Sequence, residues 1–380
     1  MPPRAPTLGP LTAALVVCVA WISAAHALET QARAALVVDQ TTGTILLAKN
    51  AEQALPPASM SKLMTLNMLF EALEDGRVSL DTMFTVSAKA SAKGGSKMFL
   101  RTGERVSVEN LIRGIIVQSG NDACIVVAEN LAGTEDDFAR IMTARAQKLG
   151  MMESTFANST GWPDPNHRMS ARDLVFLANR LITEFSQYYG YFAEEKFTWD
   201  GITQENRNPI LGLVDGADGL KTGRTQEAGF GLVASAKQGD RRVVLMITGL
   251  ETSAARAAEA DRLMTWAFRQ FTQEELVAPG KAVAQAEVWL GANKTVPLVV
   301  AEGLSALIPY SARDEVTMAV RYALPIQAPV VAGTEIGQLE VTIPGLDPIS
   351  VPVIAGADVG QAGVLTRMRA AARTLTGGWN

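Results

Sequence analysis

The sequence predicts an α+β protein: an antiparallel sheet carrying a helical insertion, then a small all-β domain, then a terminal amphipathic helix. Three observations predict it. Strand-like runs stand early (33–50) and late (229–250) in the first part of the chain, with helical periodicity between them. From about residue 277 the texture changes to short β-rich runs such as AEVWL, VPLVV and ISVPVIA, divided by Gly and Pro. The last residues return to a helical period with one apolar face.

The elements follow in order. Arg4 is the only charge before Glu29, residues 11–24 are almost wholly apolar, and Ala25-His26-Ala27 has the small-x-small form of a cleavage site. This predicts a signal peptide over 1–27, cut after Ala27, and an exported chain; an uncleaved membrane helix is the alternative. RAALVVDQTTGTILLAKN then reads as a hairpin turning at Thr41-Thr42-Gly43. PPAS opens a helical pattern with Leu63, Phe70 and Leu73 among its apolar positions, and further helices are expected at 108–118, 122–131, 136–149 and 170–184. Strands are expected at 229–236 and 241–250, then an alanine-rich helix over about 253–271. The chain thus divides into 1–27, a domain over 28–276, an all-β domain over 277–356 and a tail over 357–380. In the tail, Val364, Leu365, Met368, Ala371, Ala372, Leu375 and Trp379 share one face, flanked or opposed by Arg367, Arg369 and Arg373. That pattern suits a helix lying in a membrane interface, with docking on the β domain as the alternative.

Composition removes several function classes. The net charge of -5, with no basic stripe and no phosphate loop, gives no case for nucleic acid. After the leader only Cys124 and His167 remain of their kinds, so neither a disulfide, a metal nor a cofactor is expected.

Chemistry enters at Ser59-Met60-Ser61-Lys62. Alone, Ser59 reads as a helix cap. Ser119-Gly120-Asn121 follows one helical segment, however, and Lys221-Thr222-Gly223 begins what reads as a strand. The ordered set S-x-x-K, S-x-N, K-T-G, usually with Ser-Asp-Asn in the middle, marks class A β-lactamases and penicillin-binding proteins. Positions 59 and 62 share a helix face, so a hydroxyl and an amine can meet. A hydroxyl needs a base, and a buried lysine beside a second cation, here expected to be Lys221, loses its proton readily. His167 lies outside all three patterns and reads as a loop residue.

RAALVVDQTTGTILLAKN, PPASMSKLMT, GGSKMFL, QSGNDA, ENRNPIL and DGLKTGRTQEAGF resemble the low-molecular-mass penicillin-binding proteins of the D-alanyl-D-alanine carboxypeptidase type. The resemblance covers residues 30–275; the β domain and tail match that family's architecture more loosely. It implies a β-lactamase/transpeptidase-like catalytic domain that removes the terminal D-alanine from peptidoglycan stem peptides ending in D-Ala-D-Ala, limiting cross-linking. It implies β-lactams as covalent inhibitors, and a place on the periplasmic face of the bacterial inner membrane, held by the tail. By the same resemblance Ser59 is the nucleophile, Lys62 its base, and Ser119 a bridge between Lys62 and Lys221. Asn121 would hold the substrate's backbone amide, Lys221 would supply positive potential, and Thr222 and Thr225 would bind the terminal carboxylate. Gly223 would allow close approach, and the N–H groups of Ser59 and Arg224 would form the oxyanion hole. Arg224 stands where the family often has His or Thr. Arg207 reads as a structural ion-pair partner outside the site. A D,D-endopeptidase uses the same chemistry and stays open. A class A β-lactamase is disfavoured because no Glu-x-x-Leu-Asn occurs between 122 and 220.

Overall fold

A computed structural model describes residues 28–368. The expected cleavage site and tail residues 369–380 lie outside them. The first domain is built on a five-stranded antiparallel sheet of β1 (Ala34–Asp39), β2 (Thr44–Lys49), β3 (Ala217–Thr225), β4 (Gly229–Gln238) and β5 (Arg241–Leu250). Its strand order is β2-β1-β5-β4-β3, so both ends of the domain meet in the middle of the sheet. Successive side chains point to opposite faces. Leu36 and Met246 therefore join the core under the helical insertion, while Val37 and Ile247 pack against the helix Ser253–Arg269 behind the sheet. Burial on both faces explains why β1 is apolar from Ala34 to Val38 rather than alternating. Its one charge, Asp39, is fully buried and bonds Arg241 at 2.9 Å.

The insertion between β2 and β3 carries α1 (Lys62–Glu74), α2 (Val108–Ile116), α3 (Asn121–Ala132), α4 (Glu135–Lys148) and α5 (Ala171–Thr183). Every residue of α1 from Lys62 to Phe70 is buried, so it is a central helix rather than a surface one. Expected helix bounds shift by one to a few residues. The larger difference is at K-T-G: Lys221-Thr222-Gly223 lies well inside β3, because residues 217–220 already pair with β4.

The helix after β5 ends at Arg269, two residues earlier than expected, and Phe271 turns edge-on to Trp266 at 5.0 Å. Phe271 thereby opens β6 (Phe271–Val277), ahead of the expected boundary at 277, and β6 pairs with β9 (Leu304–Pro309). The rest of the β domain is a six-stranded sheet of β7 (Ala282–Trp289), β8 (Thr295–Val299), β10 (Thr317–Tyr322), β11 (Ile326–Gln327), β12 (Glu335–Thr342) and β13 (Ile349–Ala355), ordered β10-β12-β13-β8-β7-β11. Its core gathers Val296, Leu298, Ile308, Leu339 and Val353.

Candidate active site

The turn that presents Ser59 is fixed by shape before any chemistry is considered. Residues Ala58–Ser61 form one 3₁₀ turn that runs directly into α1. Ser59 caps nothing: neither the turn nor α1 has a side-chain cap, which removes the bland reading of this serine. Ala58 sits at φ +50°, a region that costs a residue with a Cβ about 1–3 kcal/mol and that surrounding structure must enforce. The enforcement comes from two glycines. A Cβ at Gly161 would stand 1.9 Å from the Ala58 carbonyl oxygen, and one at Gly223 would stand 2.9 Å from the Pro57 carbonyl oxygen.

Lys62 lies at the first turn of α1 with no exposed surface. Its Nζ donates to Ser59 Oγ at 2.9 Å, to Asn121 Oδ1 at 2.8 Å and to the Thr160 carbonyl at 2.5 Å. Burial lowers its pKa to about 8, and the positive charges of Arg207 and Lys93 push the same way. Lys221 is equally buried, and its pKa is driven well down by burial first, then by Lys62 and Arg207. The expectation that Lys221 is the cation poising Lys62 is therefore revised. The two lysines disfavour each other's charge, but Lys62 faces three acceptors whereas among the described residues Lys221 reaches only the Thr222 carbonyl, at 3.3 Å. In the unliganded site the proton is better placed on Lys62, and burial with Arg207 is what makes it easy to lose.

The middle motif organises a loop as well as the site. Ser119 is buried at φ +57°, and among the described residues no hydrogen bond joins it to either lysine. Asn121 is engaged at both ends: Oδ1 accepts from Lys62, and Nδ2 donates to the Gly94 carbonyl at 2.8 Å. Its N–H bonds the Ser96 carbonyl at 2.7 Å. Next to it, the buried Asp122 accepts the N–H groups of Met98 and Leu100 at 2.9 and 3.1 Å. The GGSKMFL stretch is thus pinned along the N-terminus of α3.

Edge strand β3 lies against the Ser59 turn on the other side. Thr222 is nearly buried, Gly223 packs on the turn, and the Thr225 hydroxyl accepts the Ala228 N–H at 3.0 Å. The exposed Arg224 guanidinium lies 5.2 Å from the centre of the Phe230 ring. An edge strand beside a nucleophile can pair with an extended peptide.

Three features escaped the sequence reading. Arg207 has no carboxylate partner among the described residues; it bonds Ser96 and bears on both lysines, so its reading as an ion-pair residue is corrected. Nothing in NRNP distinguishes the two cases, since the partner would be non-local. Lys93, 4.4 Å from the centre of the Trp162 ring, and the Thr160 carbonyl likewise carried no local signal. His167 does sit in a loop, but it is buried, and burial lowers its pKa to about 4.

Comparison with known proteins agrees with this geometry. Residues 22–252 match the family model described as D-alanyl-D-alanine carboxypeptidase, and residues 271–361 match penicillin-binding protein 5, C-terminal domain. The D-alanyl-D-alanine carboxypeptidase DacD of Escherichia coli K12 is 36% identical over 323 residues, 82% of this chain and 83% of that protein. The crystal structure of DacD from Francisella tularensis superimposes with a TM-score of 0.79 at 28% identity, covering 88% of this chain and 95% of the other. Penicillin-binding protein D2 of Listeria monocytogenes, solved in an ampicillin-bound form, superimposes with a TM-score of 0.58 at 30% identity over 64% of this chain and 99% of the other. A buried Ser–Lys pair on a helix start, an edge strand beside it and matches over both domains lead to one conclusion: the chain belongs to the D-alanyl-D-alanine carboxypeptidase family.

Proposed function

We propose that this serine carboxypeptidase cleaves the terminal D-Ala-D-Ala bond of peptidoglycan stem peptides through an acyl-enzyme on Ser59. The observation that carries the reading is the 2.9 Å contact between Ser59 Oγ and the buried, easily deprotonated Lys62 Nζ. Neutral Lys62 takes the Ser59 proton as Oγ attacks the penultimate carbonyl carbon. The oxyanion is stabilised by the N–H groups of Ser59 and Arg224. As the C–N bond breaks, Lys62 gives up the proton and Ser119 relays it to the leaving D-alanine amine. Water then attacks the ester, Lys62 accepts a proton from it, and Ser59 leaves protonated.

The guanidinium of Arg207, the hydroxyls of Thr222 and Thr225, and Lys221 once an incoming carboxylate favours its protonation, form the side of the site suited to the substrate's terminal carboxylate. Gly223 lets β3 lie close against the Ser59 turn, which sets the spacing between the nucleophile and the strand that would receive the peptide. Asn121, occupied by Lys62 and Gly94 in the unliganded site, acts first as an organiser and meets the substrate amide only if one of those bonds yields. β-Lactams, which present a reactive carbonyl beside a carboxylate, acylate the same serine, in line with the ampicillin-bound relative.

We place the protein outside the cytoplasmic membrane, on its periplasmic face, from the apolar leader and the basic amphipathic tail. Among the described residues no helix is long and apolar enough to cross a membrane; the basic amphipathic pattern of the tail sequence is what suits a place on the surface. The test is direct. Purified wild type should take up a fluorescent penicillin and release D-alanine from a pentapeptide, and Ser59→Ala should do neither. Equal labelling of both would end the proposal. Release from cross-linked muropeptides but not from pentapeptide would assign the endopeptidase reaction instead.

A further inference from the structure

We propose that the far end of the β domain is itself a membrane-contacting surface, in which Trp289 and Leu324 enter the headgroup region of an anionic bilayer. The inference rests on the membrane reading above and adds a contact that the tail does not make.

The placement comes from β13. It begins at Ile349, which lines a cleft shared with Thr42–Ile45 of the first domain, and runs roughly 20 Å to Ala355 at about 3.3 Å per residue. The chain then continues away from that junction and binds the tip of the β domain. Val359 pairs with Val330, Gly291 bridges Gln361, and the Ala362 N–H bonds the Leu290 carbonyl at 2.7 Å. At the same tip Trp289 pairs with Gln327 of β11, whose entry is Leu324-Pro325.

This tip is apolar where a soluble domain should be polar. Trp289 and Leu324 are 47% and 70% exposed and line one cleft of about 540 Å³. Val331, beside the Val330 bridge, is 63% exposed. The tail helix starts here too, with Val364, Leu365 and Met368 all more than half exposed. Single exposed apolar side chains need no explanation, but a group joined by backbone pairing does. Tryptophan with leucine on loop tips suits the boundary between headgroups and acyl chains. The occupant follows from where the tail leaves the domain: the chain passes from this tip at Met368 into a sequence carrying Arg369, Arg373 and Trp379, so a bilayer with anionic headgroups that takes the basic tail meets the tip as well, which a second copy of an acidic chain would not. Among the described residues Lys294 and Arg367 are matched by Glu287 and Asp358, so the tip itself is close to neutral and the further cations come from the tail sequence.

The experiment uses the mature full-length chain with Leu324→Cys labelled by an environment-sensitive fluorophore. Cys124 is fully buried and stays unlabelled, and Met152→Cys, at a site 70% exposed on the first domain, is the control. Vesicles of phosphatidylethanolamine and phosphatidylglycerol should shift the emission at position 324 to the blue and leave position 152 unchanged. In the unlabelled chain, Trp289→Ser with Leu324→Ser should weaken vesicle flotation about tenfold, the loss of roughly one buried apolar side chain. Flotation with no shift at 324 overturns the tip contact and leaves the tail reading standing. A chain that does not float at all overturns both. A blue emission at 324 already present without vesicles assigns the cleft to the chain's own tail or a second copy, and also overturns the proposal.

Discussion

Gly161 lies so close to Ala58 that any Cβ at position 161 would stand 1.9 Å from the Ala58 carbonyl oxygen. The contact locks the turn carrying Ser59 at its Ala58 carbonyl, one residue along from the Thr160 carbonyl that holds Lys62. Gly161 is also at φ +77°, where a Cβ costs about 1–2 kcal/mol by itself. Gly161→Ala must therefore move either the turn or the Thr160 carbonyl that holds Lys62. A displacement of an ångström at a nucleophile costs on the order of 100-fold in rate. Penicillin acylation of Gly161→Ala should fall by about that factor. Gly43→Ala, at φ +73° with nothing within 4 Å, should share the strain cost and keep the rate. Equal rates in both variants would show that the lock does not matter.

The pH profile follows from Lys62. Its pKa in the free enzyme is lowered to about 8, and only the neutral amine can accept the Ser59 proton. Below that value the neutral fraction rises with pH, so second-order acylation by a β-lactam should climb about tenfold per pH unit and level off above pH 8. A flat profile from pH 6 to 9 would remove Lys62 as the base. Stability should move in the same direction. The folded Lys62 pKa lies below its unfolded value, so the unfolded chain binds more protons between about pH 8 and the ordinary lysine range, and stability gains with pH across that window.

A purely structural prediction concerns the ion pair at the end of the adjacent strands β1 and β5. Asp39 is fully buried, bonds Arg241 and also accepts from the Thr42 N–H at 2.9 Å and the Thr42 hydroxyl at 3.0 Å. Arg241 in turn bonds the carbonyls of Ala267 and Phe271, tying the sheet to the end of the helix behind it and to the start of β6. Removing one partner of a buried pair leaves an uncompensated charge, at about 3–5 kcal/mol. Denaturant unfolding of Asp39→Ala should lose that amount. A loss under 1 kcal/mol would mean that water reaches Arg241.

The Ser59–Lys62 pair and the frame that carries it are legible in the sequence because their signals are local. Ser59 and Lys62 are three residues apart on one turn, and the hairpin, the late strands and the amphipathic helices each follow from periodicity. What stayed hidden is non-local. Thr160, 98 residues from Lys62, contributes a backbone carbonyl, which no side-chain pattern announces. For Asn121 the motif suggests a substrate contact, and its bonds to Gly94 and Lys62 carry no local signal because those partners come from other segments. The start of the β domain was read late because Phe271 fits a helical apolar face as well as a strand; only its packing on Trp266 settles the choice.

Arg207 gives the prediction that separates electrostatics from binding. It carries no carboxylate partner among the described residues, bonds Ser96, and its charge lowers the pKa of both Lys62 and Lys221. Removing a cation makes a neighbouring ammonium easier to keep, so in Arg207→Gln the Lys62 limb should shift to higher pH. At pH 7 the variant should acylate more slowly, on the order of threefold for one partly screened charge, and part of that loss should vanish at pH 9. A residue that only grips the carboxylate of the ligand would behave differently, lowering the rate by one factor at every pH. Acylation profiles of wild type and Arg207→Gln from pH 6 to 9, with a carboxylate-bearing β-lactam, read the two contributions apart. A parallel, unshifted profile would confine Arg207 to ligand binding, whereas a limb that moves upward makes it part of what readies Lys62.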